Sequence, residues 1–212
     1  MKKKLLLFTI FSSLILIHIH LVDQSYSAST FLIQENGQTL YVGGNGSGNY
    51  SKIQDAISSA NNGDTIYVYQ KIYYENVHVD KSIALIGQSR KNTIIDGSHA
   101  STHAILLEAD GIAVNNFTIQ NDGGPNGEVA CYVNCNNCHI SNCTIQTSQH
   151  TTMKIQSSSN NTIVNCAIFG YHEFGGDDAI NLYDSSQNTF INCEIGNSQQ
   201  CHRVSSMLPH HC

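Results

Sequence analysis

The chain has 212 residues, of which 12% are charged and 41% are hydrophobic, and its net charge at pH 7 is −6. This length predicts one sizeable domain, and the low content of charged residues suits polar turns around a thin apolar core better than a helical protein. The acidic balance argues against nucleic acid as a partner.

Residues 1–27 have the features of an export signal. Three lysines precede an apolar run over residues 5–22, and small residues at Ser25 and Ser27 mark a cleavage site. The run also approaches the length that spans a membrane, so a retained anchor through residues 5–22 is the alternative. In both cases we expect the remaining chain to be secreted, periplasmic or at the cell surface, where cysteines can pair.

Residues 28–80 are predicted to form an N-terminal cap and the first coil of a repeat. Thr39–Val42 and Thr65–Val68 have the composition of strands, and Ser51–Ala60 has the apolar spacing of a short helix. The open end of a solenoid must be covered. We therefore expect this helix to be the cap.

Residues 81–198 are predicted to form repeated coils, because a phrase beginning with asparagine recurs there. The phrase starts at Asn116, Asn142, Asn165 and Asn192, at steps of 26, 23 and 27 residues. Self-similarity at such a period indicates a solenoid, and alternating apolar residues before each phrase indicate short strands. The predicted fold is all-β, a single-stranded parallel β-helix.

The four asparagines are expected to stack as a ladder at the bend between two strands, since asparagine tolerates left-handed backbone geometry. The residue after each asparagine should then point inward. This predicts one internal column formed by Phe117, Cys143, Cys166 and Cys193. Its three cysteines would serve as small buried hydrophobes.

The repeat dissolves after residue 198. Residues 199–212 contain no segment that is recognisable as a capping helix or a further coil. We therefore expect an irregular tail there, at a C-terminus that is truncated or not native.

Several phrases of the chain resemble the opening of exported right-handed parallel β-helix proteins. They are Gly63–Val68, Tyr74–Val77, Lys81–Gly87 and Thr93–Gly97. The resemblance includes the NosD-type family, named after a periplasmic copper-binding protein, within the pectin-lyase-like superfold. It implies a right-handed solenoid with a short N-terminal capping helix. The residues themselves lead us to expect no cofactor, and copper is only what this resemblance implies.

A polar column offers candidates for catalysis. Aligning the coils places Glu128, His150 and Asp177 in one stack, with the two carboxylates about 10 Å apart, near the separation used by inverting glycosidases. The Gly-Asp-Asp phrase ending at Asp178 also resembles polygalacturonases, which implies Asp178 as acid and Asp177 as base. The other polygalacturonase phrases are absent. Pectin methylesterases share the Tyr74–Val77 type of phrase, but their catalytic Gln and Asp motifs are not recognisable either.

Tyr132, Lys154 and Asn181 are predicted to point outward from neighbouring strands. An aromatic face with a few hydrogen-bonding groups suits contact with a sugar. The first interpretation is therefore a non-catalytic module that presents a flat strand face to polysaccharide or to surface proteins. The alternatives are a polysaccharide hydrolase or lyase that uses Glu128, Asp177 and Asp178, and a copper-handling protein of the NosD type.

Cys135, Cys138 and His139 form a Cys-x-x-Cys-His phrase. Two thiolates and an imidazole are ligands for copper or zinc, and the spacing also matches attachment of a c-type haem. In repeat register, however, these residues fall in an ordinary turn. A disulfide between the two cysteines and two free thiols therefore remain open alternatives.

Overall fold

The structure is a computed structural model that describes residues 37–98, 102–121, 128–148, 151–170, 178–197 and 201–207. In chain order its elements are β1 (Thr39–Val42), α1 (Ile53–Ser59), β2 (Thr65–Val68), β3 (Lys71–Tyr74), β4 (Val77–Val79), β5 (Ala84–Gly87), β6 (Thr93–Asp96), β7 (Ile105–Leu107), β8 (Ala113–Asn115), β9 (Thr118–Asn121), β10 (Cys131–Val133), β11 (His139–Ser141), β12 (Thr144–Thr147), β13 (Met153–Gln156), β14 (Thr162–Val164), β15 (Ala167–Gly170), β16 (Ile180–Tyr183), β17 (Thr189–Asn197) and β18 (Cys201–Met207). The strands form one 13-stranded and one 5-stranded sheet.

A typical coil contributes three strands, one to each of three legs. In the larger sheet, β2, β5, β8, β11 and β14 form one leg, and β3, β6, β9, β12 and β15 form the next. The long strand β17 pairs with both β14 and β15 and so continues both legs. The third leg is the 5-stranded sheet, β4, β7, β10, β13 and β16. Neighbouring coils pair in parallel, which confirms the predicted all-β parallel β-helix.

Asparagine bends the chain between the first and second legs. Asn116, Asn142, Asn165 and Asn192 have φ of 65°, 52°, 53° and 51°. This is the left-handed conformation expected for them from the sequence, and asparagine adopts it more readily than most residues with a side chain. The backbone N–H of Asn142 donates to the carbonyl oxygen of Val164 at 3.0 Å. The hydrogen bonding between coils therefore continues through the bend.

The core follows from the alternation of side chains along each leg. Phe117, Cys143, Cys166 and Cys193 are buried directly after the asparagines. Apolar residues of the two adjoining legs surround this column, among them Val114, Ile119, Ile140, Ile145, Ile163 and Ile168. Each coil covers the apolar face of the previous one, so the core is continuous along the stack.

Helix α1 covers the start of the stack and is held at both ends by the first coil. It begins and ends one or two residues inside the predicted Ser51–Ala60. At its N-terminus, both carboxylate oxygens of Glu75 accept backbone N–H groups at 3.1 Å. At its C-terminus, Lys81 Nζ donates to three backbone carbonyls at 2.8–2.9 Å. The two charges complement the helix dipole and satisfy its unpaired groups.

The end of the chain differs from the irregular tail that the sequence predicts. Part of residues 199–212 forms β18, which pairs antiparallel with β17 through Glu194↔Arg203 and Ile191↔Ser206. The outer edge of β17 carries unpaired N–H and C=O groups, and an extended segment that satisfies them is favoured. This pairing covers part of the last coil.

The predicted signal or anchor over residues 5–22 lies outside the described residues. Within the described part of the chain, no helix has the length and apolar composition to cross a membrane.

Candidate functional site

The outer surface of the 5-stranded sheet carries a line of side chains across the coils. Strand register aligns His78, Leu106, Tyr132, Lys154 and Asn181. The flanking residues of β4, β7, β10 and β13 are buried, because alternate strand residues face opposite sides. We refer to this outer surface and the turn residues before its strands as the five-strand face.

Tyr132 lies at the centre of the five-strand face. Its ring stacks on the His103 ring, with centroids 4.6 Å apart and an interplanar angle of 20°. Lys154 Nζ, from the following coil, lies 5.5 Å from the centre of the same ring, within cation–π range. The Tyr132 hydroxyl donates to Gln156 Oε1 at 2.8 Å. Burial and the charge of Glu108 raise the pKa of Tyr132, which keeps this hydroxyl protonated as a donor.

His103 is fixed in one tautomer by the backbone. The Val129 N–H donates to His103 Nδ1 at 3.0 Å, so the neutral ring carries its proton on Nε2. Burial lowers the pKa of His103, the negative charge of Glu128 opposes that shift, and the positive charge of Lys154 adds to it. At neutral pH the ring is therefore uncharged and presents an N–H donor.

Glu128 directly precedes Val129 and is buried, with 5% of its surface exposed. Its influence on His103 shows that the carboxylate and the imidazole lie within electrostatic reach of each other, and Lys154 acts on the same ring. The imidazole of His103 and the amine of Lys154 therefore both lie against the Tyr132 ring, and the Glu128 carboxylate lies close enough to act on that imidazole. Such a set can accept a proton, donate a hydrogen bond to a developing negative charge, and bind an acidic group.

A second polar pair lies further along the same face. His78 Nε2 and Glu108 Oε2 are 2.6 Å apart, and their side chains are 45% and 42% exposed. Because both groups are open to solvent, their attraction contributes little to stability. They extend the polar lining of the five-strand face over more than two coils.

The residues that the sequence predicted for catalysis are only partly described. His150 and Asp177 lie outside the described residues. Asp178 is exposed just before β16, and Glu128 is buried at the turn before β10. The predicted column therefore stays a prediction.

Tyr132, Lys154 and Asn181 do point outward in register, as the sequence predicts for them. The ring of Tyr132 differs from the expected open sugar platform, because His103 stacks on it and Lys154 lies against it. His103 belongs to the preceding coil and Lys154 to the following one. Neighbouring coils are only about 4.8 Å apart, so side chains at equivalent positions come into contact. The hydrogen bond between His103 and Val129 likewise joins two coils, and no sequence pattern indicates it.

The Cys-x-x-Cys-His phrase does not form the predicted metal site in this structure. Cys135 and Cys138 are joined in a disulfide, so neither supplies a thiolate ligand. Among the described residues, no three metal-ligating side chains converge. Burial lowers the pKa of His139, which lies directly beside the disulfide. The copper expected from the NosD resemblance stays a prediction.

The family model for pectinesterases matches residues 39–206, which include the whole five-strand face. The chain belongs to the pectinesterase family. It is 31% identical to pectinesterase 1 of Citrus sinensis over 164 residues, and 29% identical to pectinesterase 3 of the same plant over 162 residues. Each alignment covers 68% of this chain and 27% of the relative. The chain thus spans about a quarter of the curated relatives that it matches.

Solved structures give the same fold. Pectin methylesterase PemA from Erwinia chrysanthemi superposes with a TM-score of 0.58 at 18% identity, over 74% of this chain and 54% of that one. The Aspergillus niger enzyme superposes with a TM-score of 0.58 at 19% identity, over 76% and 67% of the two chains. At these identities the likeness establishes the pectin-lyase-like right-handed β-helix.

These matches correct the functional interpretation of the sequence. The prediction of a non-catalytic surface module is wrong, because the chain belongs to a family of esterases. The NosD-type resemblance is likewise not supported beyond the shared β-helix superfold. The sequence segments on which that resemblance rests reflect strand and turn requirements that all β-helices share. They therefore predict the fold correctly but do not identify the family.

Proposed function

We propose that this protein hydrolyses methyl esters of an acidic polysaccharide of the pectin type. Water adds to the ester carbonyl and methanol leaves, so the products are a polymer carboxylate, methanol and a proton. The observation that carries this proposal is the match of the pectinesterase model to residues 39–206. A pectin methylesterase structure in complex with a hexasaccharide supports an oligosaccharide-sized substrate.

Glu128 is our candidate for activating the water. A carboxylate acts as general base when it accepts a proton from the attacking water, and such a contribution is typically about 10²–10⁴-fold in rate. Glu128 is buried beside the half-buried His103, and in such a low-dielectric setting its charge acts strongly on a neighbouring reactant. Asp177 and His150, in the same predicted column, remain further candidates.

His103 is our candidate for stabilising the charge that develops on the ester oxygen. Attack on the carbonyl produces a negatively charged oxygen, which an oriented N–H donor stabilises. The neutral His103 presents Nε2–H because Val129 holds Nδ1. Its ring is also fixed by stacking on Tyr132. A donor held in place by two contacts loses little energy to reorganisation during the reaction.

Lys154 is our candidate for recognising the polymer. A pectin chain carries free carboxylates between its methyl esters, and an ammonium group on the strand face attracts them. Asn181 adjoins Lys154 in register and supplies amide hydrogen bonds suited to sugar hydroxyls. The proposal also places the protein outside the cytoplasm, where its substrate occurs.

The test compares acid release from highly methyl-esterified pectin, followed in a pH-stat, for the native chain and two variants. Glu128→Gln keeps the shape and removes the charge, and we expect it to lower the rate by about 10²-fold or more. Glu194→Gln is the matched control, because Glu194 lies in β17 on another leg. Equal rates for the two variants, with both folded by circular dichroism, would remove Glu128 from the mechanism.

A further inference from the structure

Three cysteines from adjacent coils lie in direct register within the core. The residues that follow them are paired as Thr144↔Ala167 and Ala167↔Glu194. The Ala167 N–H donates to the Cys143 carbonyl at 2.9 Å, and the Glu194 N–H donates to the Cys166 carbonyl at 2.9 Å. Neighbouring strands lie about 4.8 Å apart, so consecutive cysteine Cα atoms are separated by about that distance.

The three thiols also point the same way. Each Sγ lies within hydrogen-bonding distance of the carbonyl oxygen two residues earlier in its own coil: Cys143 of Ser141 at 3.2 Å, Cys166 of Val164 at 3.4 Å, and Cys193 of Ile191 at 3.4 Å. A contact repeated in three coils means one side-chain orientation repeated in three coils. The sulfurs therefore form a stack, and all three are free thiols in this structure.

We propose that this stack is an oxidation site, in which Cys166 forms a disulfide with one of its two neighbours, Cys143 or Cys193. Disulfides join cysteines whose Cα atoms are about 4.4–6.8 Å apart, and the strand spacing meets that requirement. Cys166 is the middle member and can pair only once. Among the three column cysteines, one cross-link between coils and one remaining thiol are therefore expected.

Burial decides when this reaction takes place. Hydrogen bonding with the Cys143 thiol, together with burial, raises the pKa of Cys166 to about 12. The Cys166 thiol and burial also raise the pKa of Cys193. Because the thiolate is the reactive form, the stacked thiols exchange slowly once the coils have closed. Cross-linking therefore belongs to folding, while the column is still open to solvent.

The oxidant is a small disulfide such as glutathione disulfide. One cysteine thiolate attacks it, forms a mixed disulfide and releases one glutathione. A second cysteine thiolate attacks the protein sulfur of that mixed disulfide and releases the second glutathione. The net reaction converts two cysteine thiols and one glutathione disulfide into one cystine and two glutathione thiols.

Cys131 provides an internal comparison. It is also a buried free thiol, and burial, together with the nearby Cys166, raises its pKa. However, it lies in β10 on the third leg, outside the stack. If burial and oxidant alone decided which cysteines pair, Cys131 would be joined as readily as the three column members.

The test refolds the full chain from denaturant in a glutathione redox buffer, and in parallel in a reducing buffer. Free thiols are then alkylated in denaturant, and peptides are mapped by mass spectrometry. We expect a Cys143–Cys166 or Cys166–Cys193 cross-link, with Cys131 alkylated. Alkylation of all three column cysteines, in samples where Cys135 and Cys138 are paired, would overturn the proposal. So would a cross-link from the column to Cys131.

Variants sharpen the result. Cys143→Ser should direct the cross-link to Cys166–Cys193, and Cys193→Ser should direct it to Cys143–Cys166. In a Cys135→Ser/Cys138→Ser background, which lacks the other disulfide, the oxidised chain should melt about 7–14 °C above the reduced chain, as expected for closing a loop of some 25 residues. Cys166→Ser should abolish that difference in Tm. If the buried serine impairs folding, the Cys166→Ala variant is measured instead. A difference that persisted in both Cys166 variants would contradict the proposed pairing.

Discussion

Replacing Asn165 by alanine tests the asparagine ladder through the backbone alone. The Asn165 side chain is exposed, and its φ is 53°. The Arg90 Nη1 contact of 3.3 Å goes to the Asn165 carbonyl oxygen, which the substitution keeps. The energetic effect should therefore come from placing a residue with a Cβ and no local polar group in the left-handed region.

That conformation costs an ordinary L-residue about 1–2 kcal/mol. For a chain of this size, 1 kcal/mol shifts Tm by about 2–4 °C, so Asn165→Ala should melt about 2–8 °C below the native chain. Asn165→Gly is the matched control, because glycine adopts positive φ freely. Thermal unfolding followed by circular dichroism measures all three proteins. An alanine variant as stable as the native chain, or a glycine variant as destabilised as the alanine variant, would refute the reasoning.

Three other changes test the core, the site and its charge. Phe117→Ala empties the first position of the buried column and should lower the free energy of unfolding by about 3–5 kcal/mol in a urea titration; a loss below about 1 kcal/mol would place Phe117 outside the core. Lys154→Met keeps the apolar stem and removes the charge, so KM for partly de-esterified pectin should rise while kcat changes little; an unchanged KM would contradict carboxylate recognition. Burial lowers the pKa of His103 from 6.5 in the folded chain, so the unfolded chain binds more protons below about pH 6.5 and stability falls with falling pH. His103→Gln should flatten that fall in Tm, and an unchanged profile would assign the effect to other groups.

The fold was predictable because each coil of the repeat needs the same left-handed bend and the same alternation of apolar residues, so the same residue pattern recurs in the sequence. Asn116, Asn142, Asn165 and Asn192 mark one bend per coil, and the alternating apolar residues mark the strands. Each coil therefore confirms the register of the next. The N-terminal helix was predictable for a different reason, because its apolar spacing and the glycine and asparagine residues around it are local signals.

The candidate site was harder to predict because it depends on contacts between coils in positions where the coils differ. His103 lies in a turn, and its tautomer is set by the backbone of Val129 in the next coil. Its stacking on Tyr132 likewise joins two coils. Neither contact leaves a periodic signal in the sequence. Polar turn residues look alike whether they cap a strand or bind a substrate, which is why the first functional interpretation favoured a passive surface.

The pectinesterase proposal is tested most directly by measuring two products from one reaction. The full chain is incubated with highly methyl-esterified pectin, methanol is measured enzymatically, and new reducing ends and unsaturated sugars are measured in the same samples. We expect methanol in equal amount to the acid released, with the polymer length unchanged. Shortened polymer without methanol, or no product from a chain that is folded by circular dichroism, would contradict ester hydrolysis as the activity.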